Sequence, residues 1–300
     1  MIKSALKKAQ NKVFAPFQNR AVILLYHRVM KVERDPFSIC ISPEVFEEQV
    51  QYLNQSYEIL QLSELVHILS QGLKPPKRAI VLTFDDGYGD NFLNAKPLLQ
   101  KYKIPATFFI ATQSTHCGEF WWDELERLFA PDPLQMDHFF SVWDDLRMKS
   151  QTERSAVLEE FRTGKTDLLP RSDYRLLSDR EIFEIARDNL FEIGAHTESH
   201  SRLSALGPHL QKAEIENSKL SLEAITSRPV RFFSYPFGGK GDYSSETVKL
   251  IHDLKFSAAC AAFPSFVHSG SDLFQLPRFH VNPISANDLG NSLSKLFQEG

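Results

Sequence analysis

Cysteine is scarce in this chain of 300 residues: Cys40, Cys117 and Cys260 are the only three, and they show no paired spacing. That excludes a readable disulfide framework and a cysteine-type zinc site, and it fits a reducing compartment. Long hydrophobic runs are missing too. The apolar stretch Ala21–Tyr26 is six residues long, whereas a bilayer span needs about 20. Residues 1–20 hold Lys3, Lys7, Lys8, Lys12 and Arg20 with no acidic residue, and they lack the apolar core of a secretory signal. The expectation is a cytoplasmic protein. Its basic N-terminal segment, residues 1–20, reads as a solvated helix, with peripheral contact to an anionic membrane face as the other reading. There is no internal repeat and no low-complexity tract. A formal net charge of -4 and a pI near 6.2 argue against a nucleic-acid partner.

What is present is the composition of an ordinary globular protein, 42% hydrophobic and 24% charged, long enough for a full core. Most of the 24 Phe residues belong in that core. Strand-like apolar runs alternate with helical stretches, which favours βα units around a parallel sheet. Strands are expected at 21–26, near 57–60, 79–84, 106–110, 191–195, 231–234, near 256–261 and near 275–281. Helices are expected at about 43–53, 63–71, 91–102 (despite Pro97), 178–188, 208–226, 244–254 and 285–297. Between about 112 and 178 the strand signal vanishes, and Phe120, Trp121, Trp122 and Trp143 stand among charges. The fold class is therefore α/β, a distorted (β/α)7-type barrel with a mostly helical insertion at about 112–178.

Three clusters carry chemistry. In the first, the apolar run Ala79–Phe84 ends in Thr83-Phe84-Asp85-Asp86-Gly87. Two adjacent carboxylates at the C-terminal end of a buried strand are costly in a core and useful in a site, because that end of barrel strands builds active sites. Like charges so close need a cation or a strong base beside them. The second cluster, Gly194-Ala195-His196-Thr197-Glu198-Ser199-His200, also follows a strand. Two histidines four apart can face one metal if the segment turns, and a carboxylate from another strand would complete a His-His-Asp set. It is not the His-Glu-x-x-His of zinc proteases. In the third, Phe232-Phe233-Ser234-Tyr235-Pro236-Phe237-Gly238-Gly239, a strand runs into a Pro-Gly turn whose backbone N–H groups suit an oxyanion.

Thr83-Phe84-Asp85-Asp86-Gly87, His196-Thr197-x-x-His200 and Tyr235-Pro236-Phe237-Gly238, in this order, resemble the polysaccharide deacetylase family with its NodB homology domain. The likeness covers roughly 21–283, which makes residues 21–300 one NodB-like domain. Tyr26-His27-Arg28-Val29 is similar to a subgroup that begins with a strand ending in Tyr-His, circularly rearranged so that a late catalytic His stands at the N-terminus. The resemblance implies that Asp86, His196 and His200 bind a divalent metal, taken as Zn2+, and that Asp85 is the general base. Tyr235, Pro236 and Phe237 would border the oxyanion, with the Phe237 N–H as its donor. The implied general acid is His27 first and His280 second. The family often carries an Arg two residues before the Pro of its third motif, to hold the base carboxylate. Here Ser234 stands there, and Arg278 is the candidate to supply that cation from another strand.

The implied activity is metal-dependent hydrolysis of an N-acetyl group on an amino sugar, with a precursor of surface polysaccharide or lipopolysaccharide as substrate. A sugar N-deformylase and a catalytically silent carbohydrate-binding scaffold are the alternatives. The scaffold predicts a broken motif, whereas Asp85, Asp86, His196 and His200 are all present. A two-carboxylate glycosidase is disfavoured because adjacent residues do not easily reach the required separation of about 5–9 Å. Trp121-Trp122 reads as a sugar-stacking wall or as packing of the insertion, and Thr83 and Thr197 as local hydrogen-bonding residues that orient the ligands.

Overall fold

The structure is a computed structural model that describes residues 19–113, 118–129, 136–163 and 171–298. Residues 1–18, most of the basic segment, lie outside the described residues, as do His116 and Cys117. Among the described residues no helix is long and apolar enough to cross a membrane.

Strand β1 (Ala21–Tyr26) is followed by the two-residue strands β2 (Arg28–Val29) and β3 (Cys40–Ile41), which pair with each other. Helix α1 (Pro43–Ser56) follows, with the Ser42 side chain capping it and proline at its start, where a missing N–H costs nothing. Then come β4 (Glu58–Ile59), α2 (Leu62–Ser70) and β5 (Ala79–Phe84). A π-helical turn, Asn91–Ala95, leads into α3 (Lys96–Tyr102). Pro97 is tolerated because it falls in the first turn of α3.

After β6 (Ala106–Ile110) the described residues form three helices, α4 (Trp121–Phe129), α5 (Met136–Leu146) and α6 (Gln151–Arg162). They share a small core of Leu125, Leu128, Phe129, Phe139, Leu146 and Leu158. Regular alternation resumes with α7 (Asp179–Ala186), β7 (Phe191–Ala195), α8 (Pro208–Thr226), β8 (Phe232–Ser234), α9 (Ser245–Asp253), β9 (Ala258–Cys260), β10 (Arg278–His280) and α10 (Ala286–Gln298). Capping boxes at Ser178/Glu181 and Ser244/Thr247 start α7 and α9.

Seven parallel strands run in the order β10-β1-β5-β6-β7-β8-β9. A single parallel bridge from Cys260 to Leu276, just before β10, nearly closes them into a barrel. The short β4 pairs with the start of β5. β1 and β5 are buried over all six residues each, paired in register from Ala21↔Ala79 to Tyr26↔Phe84.

Their side chains alternate between two cores. Val22, Leu24, Ile80, Leu82 and Phe84 join the layer under the helices, whereas Ala21, Ile23, Ala79 and Val81 join a second cluster with Phe109, Phe232 and Cys260. The inward series of β5 therefore runs from Ala79 and Val81 to Thr83 and then Asp85, so that apolar filling gives way to polar groups at the C-terminal end. Gly194 permits this filling: a Cβ there would stand 2.4 Å from the ring of Phe109.

Candidate metal centre and active site

Adjacent residues of a strand point to opposite faces, so Asp85 and Asp86 could not share a site if β5 simply continued. The chain turns instead. Asp86 has φ 75° and Gly87 φ 95°, which brings both carboxylates into one cleft. Gly87 suits this turn, since a Cβ there would lie 2.9 Å from Ile110 Cγ2. Thr197 (φ 64°), His200 (φ 51°) and Phe237 (φ 61°) are also left-handed. Four of the non-glycine residues with positive φ thus gather at one end of the barrel, and strain of this kind persists only where the surroundings impose it.

Asp86, His196 and His200 are buried, and one ligand atom from each lies within 4.8 Å of the others. Asp86 Oδ1 is 3.5 Å from His196 Nε2 and 3.3 Å from His200 Nε2. His196 Nδ1 is 2.8 Å from the Ser234 carbonyl oxygen. As that carbonyl can only accept, Nδ1 carries the proton in the neutral ring and Nε2 presents a lone pair to Asp86.

Asp86 Oδ1 is buried and has no hydrogen-bond partner among the described residues. A lone pair and a carboxylate oxygen facing each other in a dry site is the donor set of a divalent cation. The residues therefore fit a metal. Burial would raise the Asp86 carboxyl, but the His196 and His200 imidazoles hold it below its ordinary value. Burial pushes His200 down to about 3, while for His196 the pull of Asp85 and Asp86 outweighs burial and raises it.

Asp85 is held differently. Arg278 Nη1 and Nη2 donate to its two oxygens at 2.7 Å each. Ser234 Oγ lies 3.0 Å from Asp85 Oδ2 and 2.7 Å from Arg278 Nη2. Arg278 Nη1 also donates to Thr83 Oγ1 at 3.2 Å, and its Nε to the Ala261 carbonyl at 2.9 Å. Burial alone would raise the Asp85 carboxyl, but Arg278, and after it His196, hold it well below the usual carboxylate range. Asp85 is thus ionised at neutral pH.

His27 and His280 both line the cleft, edge to face with ring centroids 5.1 Å apart. His27 Nδ1 and His280 Nε2 have no hydrogen-bond partner among the described residues. Burial lowers both rings, His280 to about 4. The His27 segment is pinned by its neighbours. Arg28, 1% exposed, pairs with Asp90 Oδ2 at 2.9 Å, and Asp90 Oδ1 accepts from the Val29 N–H at 2.9 Å. Asn91 Nδ2 donates to the His27 carbonyl at 2.8 Å.

The whole cleft has a volume of about 270 Å3, and its aromatic and apolar wall includes Phe37, Ile39, Trp122, Trp143 and Phe237. Trp122 packs edge-on against His200, stacks on Phe120 at 4.2 Å, and donates its Nε1–H to the Tyr88 hydroxyl at 2.8 Å. Tyr235 borders the cleft, but its hydroxyl donates to the Phe274 carbonyl and its ring stacks on Tyr243 at 3.9 Å. Pro236 accepts from the Gly238 N–H at 2.7 Å, which closes the turn around Phe237.

Every site residue expected from the sequence except Pro236 and Arg278 lines this one cleft, and those two support residues that do. Thr83 bonds to the Leu24 carbonyl at 2.7 Å as expected, but Thr197 Oγ1 is buried without a partner among the described residues, and it is the left-handed backbone of Thr197 that shapes the loop. Trp121 does not line the cleft; Trp122 and Trp143 do. Asp90 and the supporting role of Arg28 were not found from sequence. The Tyr-His-Arg-Val and Asp-Asp-Gly-Tyr-Gly-Asp strings contain both, but only the fold joins them.

The family model for polysaccharide deacetylase matches residues 72–259, which takes in the two carboxylates, both histidines and the Tyr235–Gly238 turn. The chain belongs to the polysaccharide deacetylase family. Among curated relatives, YxkH of Bacillus subtilis, itself assigned only provisionally to this family, is 23% identical over 87% of this chain and 71% of its own length. The poly-beta-1,6-N-acetyl-D-glucosamine N-deacetylase of Staphylococcus aureus is 30% identical over 161 residues, 47% of this chain and 54% of that enzyme, so the match spans about half its length. Among solved structures, the deacetylase PplD of Streptococcus pyogenes, determined with acetate, superposes with a TM-score of 0.65 at 20% identity over 91% of this chain and 98% of that one. IcaB of Ammonifex degensii gives 0.66 at 19% identity over 92% and 97%. At these identities the superpositions establish a shared barrel fold.

Proposed function

We propose that this polysaccharide deacetylase family member is a metal-dependent amidohydrolase that removes the N-acetyl group from an amino sugar of a surface polysaccharide or its precursor. The observation that carries this reading is the convergence of Asp86, His196 and His200 beside an Arg278-gripped Asp85 in one aromatic-walled cleft. Asp86, His196 and His200 would hold the ion, with Zn2+ as the proposed metal. It would supply Lewis acidity toward the amide carbonyl and a lowered pKa for water.

The remaining roles fall to the chain. Asp85, kept ionised by Arg278, takes the proton of the attacking water. Ser234 and Arg278 fix its carboxylate so that the base does not rotate away. The Phe237 N–H, at the turn made by Pro236 and Gly238, is the backbone donor for the developing oxyanion. His27 donates the proton to the leaving amine, and His280 stands behind it as the second imidazole. Phe37, Trp143 and Phe237 offer apolar faces that suit pyranose rings.

The staphylococcal relative acts on a β-1,6-linked N-acetylglucosamine polymer, and oligomers of that polymer are the first substrates to try. The test is acetate release from them with and without a chelator. Chelator-sensitive acetate supports the reading. Formate released from N-formyl sugars, with no acetate from any N-acetyl sugar, would replace it by the deformylase. No release of either from metal-loaded protein would favour the silent scaffold.

A further inference from the structure

The loop that carries both histidine ligands is gripped from two sides, by the half-buried carboxylate of Glu214 and the buried guanidinium of Arg154. From below, Glu214 on α8 accepts from the Glu198 N–H at 3.0 Å and the Ser199 N–H at 2.8 Å through one oxygen. Its other oxygen accepts from Ser199 Oγ at 2.5 Å and Ser201 Oγ at 3.3 Å. From the insertion, Arg154 on α6 reaches the same two serines. Its Nη2 lies 3.2 Å from the Ser199 carbonyl, 3.1 Å from Ser199 Oγ and 2.9 Å from Ser201 Oγ. Arg154 is 2% exposed. Burial pulls its guanidinium down only to about 10, so it stays cationic at neutral pH.

A cation this deep is expensive to bury and is retained where its hydrogen bonds matter. The residues it touches flank His200, whose backbone is left-handed, and the loop also contains left-handed Thr197. A loop strained at two non-glycine positions needs outside contacts to keep one shape. Trp122, also from the insertion, packs on the His200 ring at 4.7 Å between centroids.

We infer that Arg154 is a positioning residue for the metal centre: with Glu214 it clamps the Ser199–Ser201 segment and so fixes His200 as a ligand. The insertion is then part of the metal site and more than a wall of the cleft. The inference rests on the metal reading of Asp86, His196 and His200 given above.

The test is Zn2+ affinity of the full chain, measured by chelator competition, with Co2+ absorption as a second probe of ligand geometry. Arg154→Met is expected to weaken Zn2+ binding about 10-fold or more, toward the scale seen when a residue that orients a ligand is removed, because Arg154 holds the serines on either side of His200. Its Co2+ spectrum is expected to change, and Arg154→Lys is expected to recover part of the affinity. Ser201→Ala, which leaves the insertion untouched, is expected to weaken binding in the same direction, so the inference stays testable if Arg154→Met fails to fold. Arg162→Met, on the same helix but paired with Glu124 and Glu159 at the surface, is expected to leave affinity unchanged. Wild-type affinity and an unaltered Co2+ spectrum in folded Arg154→Met, or in Ser201→Ala should that variant alone fold, would overturn the inference while leaving the metal site standing. No metal binding by the wild-type chain would overturn both.

Discussion

Arg278 and Asp85 meet across the inside of the barrel, from β10 to the end of β5, through two hydrogen bonds of 2.7 Å each. Both are almost fully buried, at 1% and 3% exposure. A bidentate pair of this kind fixes direction as well as charge. It gives Asp85 the properties of a base held ready: ionised, immobile and dry.

Removing the cation should be costly twice over. Arg278→Met leaves a buried carboxylate uncompensated and is expected to destabilise the fold by about 3–5 kcal/mol, measured by denaturant titration. Arg278→Lys keeps the charge but loses the fork. Because Arg278 depresses the Asp85 pKa, weakening it must raise that pKa. The acid limb of the kcat/KM profile is then expected to move to higher pH in Arg278→Lys. An unmoved limb would mean that Asp85 is not the group whose ionisation the profile reports.

The two imidazoles of the cleft can be told apart by turnover. His27→Gln is expected to lower kcat by about 100-fold or more, the scale of a lost general acid, with metal content unchanged. His280→Gln is expected to cost much less. The reverse order would transfer the acid role to His280.

His280 also makes a prediction about stability. Its pKa is lowered from 6.5 to about 4, by burial first and then by His27 and Arg278. The folded state therefore binds its proton less readily than the unfolded state, and stability rises with pH across that window. Acidifying metal-free protein from pH 6.5 toward 4 is expected to cost about 3 kcal/mol through this group. His280→Gln is expected to flatten the curve of unfolding free energy against pH there. An unchanged slope would contradict a neutral imidazole held in this half-buried position.

His196→Ala and His200→Ala are each expected to lose bound metal on dialysis, because each removes one of three protein donors. A double variant that stays fully metal-loaded would refute the ligand set.

Much of this was legible in the sequence because the barrel announces its ligands at the ends of apolar runs. Asp85 and Asp86 follow β5, His196 follows β7, and the Tyr235–Gly238 turn follows β8. The helix 208–226 was recoverable to the residue from Pro208 and its spacing. Weaker signals failed in understandable ways. β8, β9 and β10 have three residues each, shorter than the spans 231–234, 256–261 and 275–281 expected from the sequence, since the barrel is only partly zipped there. The β2–β3 ladder is too short for any period to show. Trp143 sits in an amphipathic helix with nothing local to mark it as a wall of the cleft. Arg28 with Asp90, and Arg154 with Glu214, are ordinary charged residues in the sequence. Their importance comes from burial and from partners 60 or more positions away, or on another element, which only the folded chain supplies.

The most direct test of a metal-dependent deacetylase with Asp85 as its base combines metal analysis with acetate release in wild-type protein and in Asp85→Asn. About one divalent ion per chain is expected in both, with acetate release by the wild type that is abolished by chelation, and turnover reduced about 100-fold or more in Asp85→Asn. Metal-loaded Asp85→Asn turning over at nearly the wild-type rate would contradict that role for Asp85.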